Sequence, residues 1–257
     1  MAVLGVFQSL NLQRLIIRRC RKNVFYVKIF YMTIIDFLKK KIIVSSQAMP
    51  NEPFYDETSM LAMMESVVKG GASGLRVAGA RDVKNAKKFN LPVIGLTKPD
   101  KLPENWKSVV YITPGRKEVR ELILADADII AMDATMRKRP DGSLLEELFE
   151  LVHSSNKFVM ADVSTLQEGI NADKLGADII STTLAGYTDE SDNAEEGPDF
   201  VLLENLVKSV NKPVFLEGRV WYPEDVKKAF EIGAHSVVIG SAITRPHLIT
   251  KRFVEGI

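Results

Sequence analysis

The stretch Gly176-Ala177-Asp178-Ile179-Ile180-Ser181-Thr182-Thr183 compresses a helix end, a short strand and a polar strand terminus into one segment. A glycine closes the helix, an apolar run follows at once, and hydroxyls appear where the run stops. The arrangement recurs at Gly71-Ala72-Ser73-Gly74-Leu75-Arg76-Val77, at Asp126-Ala127-Asp128-Ile129-Ile130-Ala131 and at Gly233-Ala234-His235-Ser236-Val237-Val238-Ile239-Gly240. Its alanines, Ala72, Ala127, Ala177 and Ala234, fall 50–57 residues apart. Between neighbours lies a second junction that opens on asparagine: Asn90-Leu91-Pro92-Val93-Ile94-Gly95, Asn156-Lys157-Phe158-Val159-Met160-Ala161-Asp162 and Asn211-Lys212-Pro213-Val214-Phe215-Leu216-Glu217.

With 42–46 as a first strand, these junctions give eight short strands. Helical periodicity follows them, for example over 59–70, 116–125, 144–154, 166–175, 200–210 and 223–232. The strands read as continuous apolar runs, the pattern of strands buried on both faces. Eight βα units between residues 32 and 257 predict an α/β fold, a (βα)8 TIM barrel, which typically takes about 250 residues. A doubly wound open sheet is the rival, but no G-x-G-x-x-G turn follows the first strand.

Composition narrows the function. In 257 residues, 34 Lys and Arg face 33 Asp and Glu, for a net charge of +1. That balance argues against a nucleic-acid partner, and no apolar run approaches the roughly 20 residues of a membrane helix. One cysteine, Cys20, excludes a disulfide framework. His153, His235 and His247 show no metal-ligand spacing, so no metal and no cofactor is expected. A single cytoplasmic domain is the simplest reading.

Charge is nonetheless uneven. Residues 1–31 carry Arg14, Arg18, Arg19, Arg21, Lys22 and Lys28 and no acid. They do not read as a secretory signal, whose charges precede its apolar core, and they are poor in serine for a transit peptide. We expect a basic N-terminal extension upstream of a natural start at Met32, with residues 32–257 as the catalytic domain.

In a barrel the chemistry sits at the C-terminal ends of the strands. There the sequence places Ser45-Ser46-Gln47, Arg76, Thr97-Lys98, Asp133-Ala134-Thr135, Asp162, Thr182-Thr183, Glu217-Gly218-Arg219 and Gly240-Ser241. Each alone reads as a helix cap or half an ion pair. Charges converging on one apolar mouth are costly unless they are paired or matched to a polar ligand. Gly218, Arg219, Gly240, Ser241 and Arg245 follow the last two strands, where barrels often hold a phosphate. Lys98 is placed to act either as a general base or as a Schiff-base amine, since desolvation and nearby arginines depress an amine. Glu217 is its natural carboxylate partner. The basic run Arg137-Lys138-Arg139 reads as a solvated loop, and 189–196 as a mobile acidic loop over the site.

Several of these segments resemble the N-acetylmannosamine-6-phosphate 2-epimerase family. They are Ser46-Gln47-Ala48 with Asn51-Glu52-Pro53, Asp133-Ala134-Thr135 with Arg137-Lys138-Arg139-Pro140, and Ala161-Asp162-Val163-Ser164-Thr165. Ser181-Thr182-Thr183-Leu184-Ala185-Gly186-Tyr187-Thr188, Glu217-Gly218-Arg219 and Gly240-Ser241-Ala242-Ile243-Thr244-Arg245-Pro246 complete the set. The resemblance spans about Ile42 to Phe253. It implies a ribulose-phosphate-binding-like barrel, an isomerase of sialic-acid and amino-sugar catabolism acting on a phosphosugar. It implies Lys98 and Glu217 as catalytic residues, Gln47, Arg76, Asp162 and Thr182 at the sugar, and Arg245 at the phosphate. Pro99 stands where the family usually has arginine, and Ser46 where a cysteine is common. One-base and two-base proton transfer both remain open, as does the lyase alternative. Ile249, Phe253 and Val254 in the last helix would suit a homodimer.

Overall fold

The computed structural model describes residues 12–19, 25–191 and 197–256 and divides the chain into two units, Met1–Lys39 and Lys40–Ile257. In the first unit, Leu12–Arg19 pairs antiparallel with Phe25–Met32, in a register running from Leu12 opposite Met32 to Arg19 opposite Phe25. Met32, the expected start, is thus the last residue of a paired strand. A one-turn helix, Ile34–Phe37, follows, with Thr33 and Asp36 forming a reciprocal cap. Residues 1–11 and 20–24 of the expected extension lie outside the described residues.

The second unit is a closed parallel barrel of eight strands. They are β1 (Ile42–Ser46), β2 (Gly74–Ala78), β3 (Val93–Leu96), β4 (Ile129–Asp133), β5 (Phe158–Asp162), β6 (Ile179–Ser181), β7 (Val214–Glu217) and β8 (Ser236–Ile239). Closure is made by β8 on β1, Val237 opposite Ile42 and Ile239 opposite Val44. Outside lie α1 (Glu57–Lys69), α2 (Gly79–Lys87), α3 (Arg116–Leu124), α4 (Leu145–His153), α5 (Leu166–Leu175), α6 (Phe200–Ser209), α7 (Pro223–Ile232) and α8 (Pro246–Glu255). The barrel expected from the junction spacing is the barrel observed.

The recurring junction has a mechanical reason. Backbone N–H groups of Ser73, Asp128, Asp178 and His235 donate to the carbonyls of Ile42, Val93, Val159 and Val214, at 2.9, 3.0, 3.0 and 2.7 Å. Each pins the start of an even-numbered strand to its odd-numbered neighbour, so the repeat marks register at the floor of the barrel. Two aspartates strengthen the pin: Asp128 Oδ2 accepts from Val93 N at 2.9 Å and Asp178 Oδ2 from Val159 N at 2.8 Å. Helix starts are equally local. Asp56 caps α1 through Ser59 N, Asp199 caps α6 through Leu202 N, and Thr165 with Glu168 boxes the start of α5. Gly176 closes α5 in the left-handed conformation, φ 96°.

Side chains alternate along each strand. On β2, Leu75 and Val77 join the core between sheet and helices, alongside Met64 and Val83, while Arg76 enters the barrel interior. Packing around β3 is tight. A Cβ added to Gly95 would lie 2.9 Å from Ala127 Cβ and 3.0 Å from Val83 Cγ2. Gly95→Ala should therefore cost about 1–3 kcal/mol of stability, read by denaturant unfolding.

Candidate active site

A cavity of about 590 Å³ opens at the C-terminal rim of the strands, of a size suited to a small molecule. Beneath it lies an ion network: Glu217 and Thr183 line the cavity, whereas Arg76 and Asp162, expected at the sugar, are buried and do not line it. Arg76, 1% exposed, forks onto Asp162, Nη1 to Oδ1 at 3.1 Å and Nη2 to Oδ2 at 2.7 Å. Arg76 Nη1 also lies 2.9 Å from Glu217 Oε2. One guanidinium from β2 thus faces carboxylates from β5 and β7. A buried charge set of this kind depends on hydrogen bonds to its carboxylates, while Arg76 Nε has no partner among the described residues. Thr183 Oγ1 adds to the set, 2.7 Å from Asp162 Oδ1 and 3.1 Å from Glu217 Oε2. Its single proton serves one carboxylate at a time.

Lys98 follows β3 by two residues and lines the cavity with Glu217. The strand end that carries it is held by Thr113, whose hydroxyl receives Thr97 N at 3.1 Å and donates to Ala131 O at 2.7 Å. Thr113 N returns to Thr97 O at 3.0 Å, so the neck of the segment beginning Lys98-Pro99 is closed. The Lys98 side chain remains accessible from the cavity, yet the protein packed around it strips away enough water to push the amine down to about 8. Desolvation is the main cause, Arg76 adds to it, and the Glu217 carboxylate opposes it. Glu217 moves the other way. Burial lifts its carboxyl above the ordinary carboxylate range, and Arg76 restrains the rise. The pair is poised with amine and carboxyl drawn toward each other in acidity, as acid–base catalysis requires.

The other wall is set by Gly240, Ser241 and Arg245. Arg245 Nε lies 3.1 Å from Glu52 Oε1, Nη2 donates to Glu52 Oε2 at 3.2 Å, and Nη1 reaches Ser241 Oγ at 3.3 Å. Gly218 turns the chain out of β7 at φ 112°, a conformation that glycine alone adopts without strain. Gln47 also lines the cavity. Its Nε2 donates to Ser45 Oγ at 2.8 Å, and its buried Oε1 has no partner among the described residues.

Three expectations change. Thr182 does not line the cavity: its hydroxyl donates to Glu217 O at 2.9 Å and receives Glu217 N at 3.1 Å, sewing β6 to β7. Thr183 is the hydroxyl that faces the ions. Strand parity could have found it, because Ser181 and Thr183 share a face, Oγ to Oγ1 2.8 Å. Second, Arg137 and Arg139 are not solvated. Arg137 Nη2 pairs with buried Asp133 at 2.6 Å, and Arg139 donates to the carbonyls of Thr113, Pro114 and Asp133. Third, Arg219 borders the cavity, but Nε and Nη1 are committed to backbone carbonyls of Gly197 and Ala185. Of the acidic loop, 192–196 lie outside the described residues. Sequence reasoning also missed Trp106, Tyr111 and Tyr187, a wall of rings with Trp106 6.3 Å from Tyr111 and 6.4 Å from Tyr187. Among the described residues, no group of His, Cys, Asp and Glu could hold a metal ion, and no helix is long and apolar enough to cross a membrane.

Comparison with known proteins gives this geometry its family. The family model described as "Putative N-acetylmannosamine-6-phosphate epimerase" matches residues 60–257. The chain belongs to the N-acetylmannosamine-6-phosphate epimerase family. It is 46% identical over 223 residues to a Clostridium perfringens protein named "Putative N-acetylmannosamine-6-phosphate 2-epimerase", covering 86% of this chain and 98% of the relative. A Clostridioides difficile protein of the same name is 47% identical over 225 residues, covering 87% and 98%. Among solved structures, the N-acetylmannosamine-6-phosphate 2-epimerase from Clostridium perfringens superposes with a TM-score of 0.83 at 45% identity, over 88% of this chain and 96% of that one. The tryptophan synthase α-subunit of Pyrococcus furiosus, at 14% identity and a TM-score of 0.59 over 84% of this chain and 92% of that one, shares the barrel alone. This epimerase-family chain therefore carries its ionisable cluster on a scaffold closely matched in the characterised Clostridium perfringens enzyme.

Proposed function

We propose that the protein interconverts N-acetylmannosamine 6-phosphate and N-acetylglucosamine 6-phosphate by removing and returning the proton at C2. The observation that carries this reading is an amine depressed to about 8 and a carboxyl held above the ordinary carboxylate range by burial, both lining one cavity in an epimerase-family barrel. In the open-chain sugar, C2 lies beside the C1 aldehyde, so its proton is acidic once the enolate oxygen is stabilised. Neutral Lys98 takes the proton and becomes an ammonium ion, and the electron pair moves onto the C1 oxygen. The positive field of Arg76 and Arg245, which disfavours charge on Lys98, favours the anion formed there. Glu217 Oε2 is held by Arg76 and Thr183, leaving Oε1 to assist ring opening and to deliver a proton to the opposite face. Sugar contacts fall to Gln47, and Asp162 and Arg76 hold Glu217 in place. Gly218, Gly240, Ser241 and Arg245 take the phosphate, which anchors the substrate away from C2.

The test is direct. Purified protein is given each phosphosugar and its unphosphorylated counterpart, and interconversion is followed chromatographically. The reading expects turnover of the phosphorylated pair, and absence of turnover overturns it. Arg245→Ala should raise KM by about 10- to 100-fold, the worth of a lost charge-assisted bond, with a smaller change in kcat. We also propose a cytoplasmic homodimer joined through α8, where Phe253 is 75% and Val254 63% exposed. Sedimentation of Phe253→Asp as a monomer beside a dimeric wild type would support it.

A further inference from the structure

Arg219 stands in the left-handed backbone region at φ 54°, a conformation that a residue with a Cβ rarely takes. Such a conformation persists where surrounding contacts over-determine it. Here three do. Nε donates to Gly197 O at 2.7 Å, Nη1 donates to Ala185 O at 2.8 Å, and the guanidinium carbon lies 5.6 Å from the Tyr187 ring centre. Ala185, Tyr187 and Gly197 all belong to the connection between β6 and α6, whereas Arg219 follows β7. One side chain thus ties a loop to the strand end that carries Glu217.

The loop has made room for it. Gly186 sits at φ 79°, and a Cβ there would lie 2.4 Å from Arg219 Nη1. Both features of Gly186 exclude a side chain, and the second does so because of Arg219. On the cavity side, Tyr187 contributes to the wall of rings. At the root of the same connection, Thr183 contacts the two network carboxylates. Displacing the loop would disturb both.

We infer that Arg219 is a positioning residue that latches residues 184–191 beside the cavity, so that Tyr187 and Thr183 are set for turnover, and that it does not grip the phosphate. The inference rests on the proposed epimerase reaction for its kinetic arm alone. Its structural arm stands independently.

Arg219→Gly is the variant of choice, because glycine takes the backbone conformation freely and the fold is spared. Three measurements separate the roles: kcat and KM, competitive inhibition by inorganic phosphate, and hydrogen exchange of peptides covering 184–191. The latch predicts kcat lowered by about tenfold or more with inhibition by phosphate unchanged within about twofold. It predicts exchange across 184–191 faster by about tenfold or more. Gly186→Ala should reproduce the loss of kcat, and the double variant should be no worse than Gly186→Ala alone, since the Arg219 contact is already lost there and the strain at φ 79° is common to both. Unchanged exchange with phosphate inhibition weakened by about tenfold would overturn the latch and make Arg219 a phosphate ligand. Unchanged kcat with faster exchange would overturn its part in turnover. If the wild type turns over neither phosphosugar, the functional reading fails, and the exchange measurement still judges the latch.

Discussion

Lys98→Ala is expected to lower kcat for C2 epimerisation by about 10²- to 10⁴-fold, the usual worth of a positioned proton-transfer group. Binding of the phosphosugar should change little, because the groups assigned to the phosphate, Arg245 and Ser241, belong to the segment after β8 and not to the one that carries Lys98. The wild-type pH profile gives the same claim a second face. A base must be neutral to act, and an amine at about 8 is neutral in only about a tenth of molecules at pH 7. Because Glu217 must be protonated to deliver its proton, the rate should follow a bell in which one limb, at about 8, belongs to Lys98. In Lys98→Ala that limb should vanish with the activity. Borohydride distinguishes the lyase alternative: a Schiff base on Lys98 would be trapped as a stable adduct in the presence of substrate, and proton transfer alone leaves none.

The second large effect is on stability. Arg76→Leu removes the guanidinium paired with both Asp162 and Glu217, which lie 2.7 and 2.9 Å from it. Breaking a buried ion set by deleting one partner typically costs about 3–5 kcal/mol, because the remaining charges are stranded. Thermal unfolding should register that loss. Arg76→Leu combined with Asp162→Leu should recover part of it, since a paired replacement by apolar groups strands less charge. If the single variant melts like the wild type, the network does not hold the barrel interior as described. The variant also bears on Lys98. Arg76 is the principal neighbouring charge that depresses the amine, so the Lys98 limb of the pH profile should move upward in whatever folded protein remains.

The barrel was legible because its information is local. Each junction of the Gly-Ala-Asp kind couples a helix end to a strand start within a few residues, and the register pins at Asp128 and Asp178 are part of the repeat itself. The strand-end rule then brought Lys98, Glu217 and Gln47 to one cavity, while Arg76 and Asp162 proved to be buried partners of Glu217. What escaped was set by geometry that spacing does not carry. Thr182 and Thr183 are adjacent in sequence, yet one bonds backbone and the other faces the ions, a matter of strand parity. Arg137 and Arg139 look like a solvated basic run until Asp133, buried at the end of β4, draws them in. Trp106 and Tyr111 lie in a connection with no periodicity to announce them. Arg219 was read from its neighbours Glu217 and Gly218, but its donors point to Ala185 and Gly197, a placement decided by one positive φ.

The central claim is a reversible proton transfer at C2 of a phosphosugar. Incubation of the protein with N-acetylmannosamine 6-phosphate in deuterium oxide, followed by proton NMR, tests it most directly. The account predicts that N-acetylglucosamine 6-phosphate forms with deuterium at C2 and that no smaller carbon fragment appears. Product that retains its original proton at C2, or cleavage of a carbon–carbon bond, would contradict it.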